Sequence, residues 1–314
     1  MNVLITGADG FIGRALRPAL EQAGAGVVAA VRRPGVPGTL AVGDIGPATD
    51  WRAALAGVDA VVHLAARVHM LRDPAADPLA QYRAVNTAGT LNLARQAAAA
   101  GVRRFVYISS IKVNGEGRAA PYRDDDPADP RDPYAVSKWE AERGLAAIAR
   151  DSGLEVVVLR PPLVYGPGVK ANFRSLLRLV ERGWPLPLAC IDNRRSLVYL
   201  GNLVDAIRVC LGHPDAAGRT FLIDDGEPVS TPRLVAALAG AMETSPCLLP
   251  LPTGILRLAA RLLGRRAAIE RLTGSLAVDS SALRAALDWT PPYRFEQGIA
   301  ATVAAYRAET RRVA

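Results

Sequence analysis

Cysteine, lysine and aromatic residues are all scarce in this chain, and each shortage closes off a class of protein. Only Cys190, Cys210 and Cys247 occur in 314 residues. An odd number without metal-like spacing argues against a disulfide framework and a thiolate metal site. Asp124-Asp125-Asp126 is a carboxylate run in a Pro-rich turn that solvent satisfies, so no metal is expected. Only three of the 38 basic residues are lysines, aromatics make up 5%, and no basic run is interleaved with them. Nucleic acid is therefore not an expected partner, although the net charge of +8 attracts anions in general. No apolar run approaches the length of a membrane span. No basic leader with a cleavage site precedes the first strand, so the expected setting is cytoplasmic.

What is present suits a compact enzyme: half the residues are hydrophobic and 22% are charged. Up to residue 160, short β-branched runs alternate with helical patterns. Strands are expected at 2–6, 26–31, 39–42, 59–64, 103–109 and 154–160, several apolar on both faces as in a covered parallel sheet. Helices are expected at 11–23, 50–56, 78–100 and 133–151. Pro18 should cost the first of these a hydrogen bond and kink it. Asp132, Pro133 and Gly153 are end signals for the last. A βαβ series of this kind predicts an α/β protein with a doubly wound parallel sheet. Beyond Pro161-Pro162 the regularity fades, so 1–160 reads as the dinucleotide-binding unit and 161–314 as a smaller C-terminal α/β lobe for substrate. Later segments are expected to return to the first unit.

The turn Thr6-Gly7-Ala8-Asp9-Gly10-Phe11-Ile12-Gly13 joins the first strand to the first helix. Gly7 permits the tight turn, Gly10 lets backbone approach a pyrophosphate, and Gly13 lets helix and strand pack closely. The helix N-terminus faces the anion. An NAD binder carries an acidic residue at the end of its second strand, about 20 positions on. Here that place reads Val31-Arg32-Arg33, two guanidinium groups suited to a 2′-phosphate. The expected cofactor is NADP, with NAD as the alternative if both arginines are merely solvated before the Pro-Gly turn.

Tyr134 and Lys138 stand at i and i+4 near a helix start, on one face. A free phenol, with a pKa of about 10, is a poor base at neutral pH. A neighbouring ammonium and the positive helix end should lower it. Ile108-Ser109-Ser110 ends the preceding strand at the carboxyl edge of the sheet, where ligands bind in open α/β folds.

These features, with Gly43-Asp44-Ile45, Val62-His63-Leu64-Ala65-Ala66, Asn86 with Gly89-Thr90, and Leu159 to Gly168, resemble the extended short-chain dehydrogenase/reductase family in order and spacing. The resemblance runs from residue 1 to about 300 and implies a Rossmann-type sheet. It implies that Asp44 and Ile45 hold the adenine, and that Leu64, Ala65 and Ala66 pass under the phosphates and nicotinamide ribose. Phe11, Ile12, Asn86 and Ser109 complete the cofactor site, and Pro161, Leu163 and Val164 line nicotinamide and substrate. It implies that Ser110 orients the substrate oxygen, Tyr134 is the acid/base and Lys138 binds the ribose. Asn172 and Arg195 match positions that hold a nucleotide diphosphate.

The run Ser109 to Glu116 is similar to a UDP-glucose 4-epimerase-like subgroup linked to surface-polysaccharide sugars, which includes 4-ketoreductases of 6-deoxy-hexosamines. Epimerases usually have a small hydroxyl residue where Lys112 stands, so Lys112 is either a substrate contact or a solvated loop residue. The expected activity is reduction of a UDP-linked 4-keto sugar by NADPH. The alternatives are 4-epimerisation with tightly bound NAD, reduction of a non-sugar ketone, and a non-catalytic dinucleotide sensor. Family members often form homodimers, here through 78–100 and 133–151. Substrate choice should lie in loops at 70–77, 114–130 and 165–195. His63, His69 and His213 read as structural or surface groups, and Lys170, Arg174 and Arg178 as a solvated helix face. The segment 248–266 carries an arginine stripe opposite Leu and Ile, which suits a helix packed on the smaller lobe better than membrane contact.

Overall fold

The computed structural model describes residues 1–68, 77–262 and 266–313. His69, most of the 70–77 loop and Arg265 lie outside the described residues. Among the described residues nine strands form: β1 (Asn2–Thr6), β2 (Gly26–Val31), β3 (Leu40–Ala41), β4 (Ala60–His63), β5 (Arg104–Ile108), β6 (Glu155–Arg160), β7 (Leu163–Tyr165), β8 (Leu197–Tyr199) and β9 (Thr220–Leu222). Between them lie helices α1 (Gly13–Gln22), α2 (Arg52–Leu55), α3 (Pro78–Tyr82), α4 (Thr90–Ala99), α5 (Pro133–Ser152), α6 (Ala171–Glu181) and α7 (Leu200–Gly212). Helices α8 (Thr231–Ala241), α9 (Thr253–Leu262), α10 (Arg266–Thr273), α11 (Ser281–Leu287) and α12 (Phe295–Val313) follow. No described helix is long and apolar enough to cross a membrane.

Seven strands make one parallel sheet in the order β3-β2-β1-β4-β5-β6-β9. The continuous apolar runs are explained by helices on both faces. Val3 and Ile5 face a core shared with Leu16 and Leu20 of α1 and Leu203 and Ile207 of α7. Leu4, between them, faces the opposite core with Leu93 of α4 and Leu145 of α5. Each side chain buried this fully contributes about 1.5–3 kcal/mol. The strand order reverses between β1 and β4, which opens a crevice at the carboxyl edge of the sheet.

The later half divides its elements. Strand β9 pairs with β6, and α7 and α11 pack on the sheet. The parallel pair β7–β8 leads into a second core, where Phe173 and Leu177 of α6 meet Leu238 of α8 and Ile299 of α12. Leu256 of α9 is buried in that core, whereas Ile255, Leu258 and Leu262 are exposed. Phe11 touches both this core and the sheet core, so the glycine turn sits where they meet.

Two helices differ instructively from the sequence pattern. Helix α1 continues through Pro18, whose side chain is exposed, so solvent can reach the carbonyl left without a donor. The stretch expected as one helix from 78 to 100 contains a π-helical turn at Arg83–Gly89. There Gly89 passes so close to Ile45 that a Cβ would lie 2.7 Å from its Cγ2. Such turns insert an extra residue into the helical path, and this one holds Asn86. Helix α5 has the ends its sequence announces: Asp132 accepts from the Ala135 amide, and Gly153 closes it in the left-handed conformation.

Candidate active site

The sheet places its sequence-selected residues by topology. All seven strands are parallel, so the segments following β1, β2, β4, β5 and β6 emerge along one edge. They carry Gly7 to Gly13, Arg32 and Arg33, Leu64 to Ala66, Ser109 and Ser110, and Pro161 to Val164.

The glycine turn is shaped to admit a backbone-bound anion. Gly7 has φ of +67°, and a Cβ there would stand 3.0 Å from the Ala65 nitrogen. At Gly13 a Cβ would fall 2.4 Å from the Gly7 carbonyl oxygen, so the helix starts hard against the turn. The Gly10 amide donates to the Gly7 carbonyl at 2.9 Å. Turn and β4 loop are tied together, because the Ala65 amide donates to Thr6 Oγ1 at 3.2 Å. The same Thr6 hydroxyl lies 2.7 Å from His63 Nδ1, and His63 Nε2 lies 2.9 Å from Thr90 Oγ1, so both ring nitrogens are hydrogen-bonded. Burial, and then the charge of Lys138, push His63 down to about 3. His63 is a neutral, fully bonded strut.

Asn86 is fully buried and braces the next part of this loop. Its Oδ1 accepts from the Arg67 amide at 2.8 Å, and its Nδ2 donates to the Arg67 carbonyl at 3.0 Å and to Ser137 Oγ at 3.0 Å. Ile45 is half-buried, whereas Arg32, Arg33 and Asp44 are exposed. Arg32 stands 3.8 Å from Asp44 as a loose surface pair. A turn with glycine at its three closest approaches, a helix N-terminus behind it and two exposed guanidinium groups at the β2 end together fit a dinucleotide.

On the other side of the crevice, α5 presents Tyr134 and Lys138. Lys138 is buried, its Nζ donating to the Ile108 carbonyl at 2.9 Å and lying 4.6 Å from the Tyr107 ring centre. Burial lowers its pKa to about 7, and the Glu142 carboxylate opposes that shift. The Tyr134 phenol is pushed up by burial and by the Asp132 carboxylate, while a hydrogen bond with the Ser110 hydroxyl pulls it back. The expected lowering by Lys138 and the helix end is thus reversed in the protein alone. The capping carboxylate offsets the helix dipole at that end, and the ammonium, 5.9 Å from the ring centre, is itself depressed.

Several expected site residues have partners elsewhere. The Ser109 hydroxyl donates to Glu142, so its side chain serves α5. Lys112 Nζ lies 2.5 Å from Asp132 Oδ2 and 3.1 Å from Glu116 Oε1, so it is neither a bare cation nor a solvated loop residue. Pro161 is buried and joins the β5 and β6 loops through its carbonyl, which accepts from the Ile111 amide at 3.1 Å. Leu163 is exposed and Val164 half-buried. Asn172 and Arg195 belong to the second lobe. Asn172 is exposed in the first turn of α6. Arg195 is half-buried, donates to the Gly274 carbonyl at 3.0 Å and bridges Val229 and Leu276 through its backbone. On the α6 stripe, Arg174 pairs with Glu309 at 2.7 Å.

Sequence reasoning missed the buried pair behind Lys138. Arg160 and Glu142 meet at 2.5 Å with side chains only 5% and 4% exposed, and Arg160 also donates to Asn114 Oδ1 at 3.0 Å. The available signals were Glu142, four residues beyond Lys138, and an arginine closing the apolar run of β6.

Among characterised proteins, the model of the NAD dependent epimerase/dehydratase family matches residues 3–224. The chain belongs to that family. As a member it is an NAD(P)-dependent enzyme of the extended short-chain dehydrogenase/reductase type. Over 312 residues it is 46% identical to UDP-glucose 4-epimerase of Vibrio cholerae, covering 97% of this chain and 95% of that protein. The solved structure of MoeE5 in complex with UDP-glucuronic acid and NAD is 28% identical with a TM-score of 0.79, covering 98% of this chain and all of the other (100%). The structure of RMD from Pseudomonas aeruginosa complexed with NADPH is 26% identical with a TM-score of 0.75, covering 98% and 99%. Family membership accounts for the shared edge at which the Gly7 turn, the Ala65 loop and Tyr134 converge.

Proposed function

We propose that this enzyme reduces a nucleotide-activated 4-keto sugar, UDP-linked and of the 6-deoxy-hexosamine class, with NADPH. The observation that carries the direction is the end of β2, where Arg32 and Arg33 are exposed and no carboxylate follows the strand. A 2′-phosphate finds charge-assisted partners there. When bound, the nicotinamide supplies the hydride. Gly7, Gly10 and Gly13 with Phe11 and Ile12 seat the pyrophosphate, and Asp44 with Ile45 borders the adenine. Leu64 to Ala66, braced by Asn86, run beneath the ribose, and Pro161, Leu163 and Val164 bound the nicotinamide pocket.

In this reading Tyr134 donates a proton to the ketone oxygen, and the Ser110 hydroxyl holds that oxygen in place. A phenol kept protonated by burial is suited to act as an acid. Lys138, poised near neutrality, donates to the nicotinamide ribose and follows the proton demand of Tyr134. The lobe around the second core, roughly 161–314 without the segments that rejoin the sheet, takes the nucleotide, with Asn172 and Arg195 toward its diphosphate.

A second reading, a UDP-sugar 4-epimerase retaining NAD, is favoured by the similarity to the Vibrio cholerae enzyme and by NAD in the MoeE5 complex. The same Tyr134 would then accept a proton from the 4-hydroxyl before returning it. Incubation with NADPH and a UDP-4-keto-6-deoxy-hexosamine, in parallel with UDP-galactose and UDP-N-acetylgalactosamine, separates the two. Reduction predicts loss of the reduced-nicotinamide absorbance with the keto sugar alone. Epimer formation without absorbance change overturns it.

A further inference from the structure

Of the three lysines in the chain, Lys138 lies on the helix of Tyr134, and another bonds the residues on either side of the reacting position. That second lysine, Lys112, belongs to the short 3-10 turn Ile111–Val113 that follows β5. Its backbone amide donates to Ser110 Oγ at 3.2 Å. Its ammonium reaches Asp132 Oδ2 at 2.5 Å, and the other oxygen of that carboxylate accepts the Ala135 amide at 2.7 Å, capping α5. One residue therefore grips the hydroxyl on one side of the reacting position and, through the cap, the helix carrying the phenol on the other.

We propose that Lys112 is a positioning residue for proton transfer: it sets the spacing between Ser110 and Tyr134 and neutralises the Asp132 carboxylate next to the phenol. The proposal rests on Tyr134 being the acid/base. The charged and polar groups facing Tyr134 are few. Lys138 comes from α5 and Asp132 from its N-cap, the Ser110 hydroxyl from the β5 loop, the Tyr107 phenol from β5 and Tyr82 from α3, its ring centre 6.1 Å away. Lys112 itself faces Asp132 and Glu116. Among the described residues Asp132 is the carboxylate that raises the phenol, and Lys112 is a cation paired with it. Half-burial of both side chains, 26% and 18% exposed, limits solvent screening of the pair.

The test is a tyrosinate absorbance titration in the presence of NAD, each protein minus its counterpart carrying Tyr134→Phe, so that the difference reports one phenol. Lys112→Met removes this ammonium from the Asp132 carboxylate and should move the midpoint up by about 0.5–1 unit. Asp132→Asn keeps a capping side chain and should move it down. In the Asp132→Asn background Lys112→Met should have a markedly smaller effect, and Lys112→Arg should restore part of the wild-type midpoint. Circular dichroism establishes that each variant is folded. A midpoint unmoved in folded Lys112→Met, or equal shifts with and without Asp132, overturns the proposal while leaving Tyr134 in its role. A difference spectrum with no titrating band overturns both.

Discussion

Breaking the buried pair behind Lys138 should cost far more than its surface counterparts. Glu142→Gln keeps the volume and still offers the Ser109 hydroxyl an acceptor, but it removes the charge opposite Arg160. That guanidinium, 5% exposed, then keeps only neutral partners: one amide oxygen at position 142, Asn114 Oδ1 and the Trp139 ring, whose centre is 5.7 Å from its Cζ. An uncompensated buried charge of this kind costs about 3–5 kcal/mol, whereas solvent screens exposed pairs such as Arg52–Asp50. Urea unfolding of Glu142→Gln should therefore show a loss within that range. The double variant Glu142→Leu with Arg160→Met, which removes both charges, should recover most of it. A single variant within about 1 kcal/mol of wild type would refute the assignment of this pair as an essential charge partnership. A functional consequence follows, since Glu142 opposes the fall of the Lys138 pKa. Its loss should leave less ammonium at neutral pH and weaken dinucleotide binding.

Other outcomes follow from the same geometry. Gly13→Ala should weaken dinucleotide binding at least tenfold by calorimetry, because the new Cβ meets the Gly7 carbonyl at 2.4 Å and the turn must open. Replacing Arg32 and Arg33 together by Ala should reduce the preference for NADPH over NADH by about 10–100-fold, the worth of one or two charge-assisted hydrogen bonds. Lys138 has a folded pKa of about 7 and an unfolded value near 10.5, so the unfolded chain holds the extra proton between these limits. Its contribution to stability therefore rises with pH across that window, by about 2 kcal/mol from pH 7 to 9. Urea unfolding of Lys138→Met at the two pH values should lack that increment, and an identical pH slope would contradict the depressed ammonium.

Local pattern carried most of the fold into the sequence. Every expected strand of the first half lies within two residues of its observed limits; apart from the exposed edge strand β3, these are parallel strands whose burial on both faces reads as apolar runs. The glycine turn and the Tyr134–Lys138 helix were legible because backbone geometry and i,i+4 spacing are local properties. Lys112 and Ser109 were less so. Their partners, Asp132 and Glu142, lie 20 and 33 residues away, and only docking of α5 against β5 brings them together. The direction of the Tyr134 shift was missed for a related reason. Proximity to Lys138 is visible in sequence, but burial of the phenol and the charge of the cap are not.

The central claim is hydride transfer between nicotinamide and sugar carbon 4 with Tyr134 as proton donor. NADPH carrying deuterium at the transferable position of nicotinamide C4, supplied with a UDP-4-keto-6-deoxy-hexosamine, tests it directly. The account predicts a product with deuterium at sugar C4, formed at least about 100-fold more slowly by Tyr134→Phe, whose dinucleotide affinity stays within a few-fold of wild type. A product without deuterium at C4, or undiminished turnover in Tyr134→Phe, would contradict it.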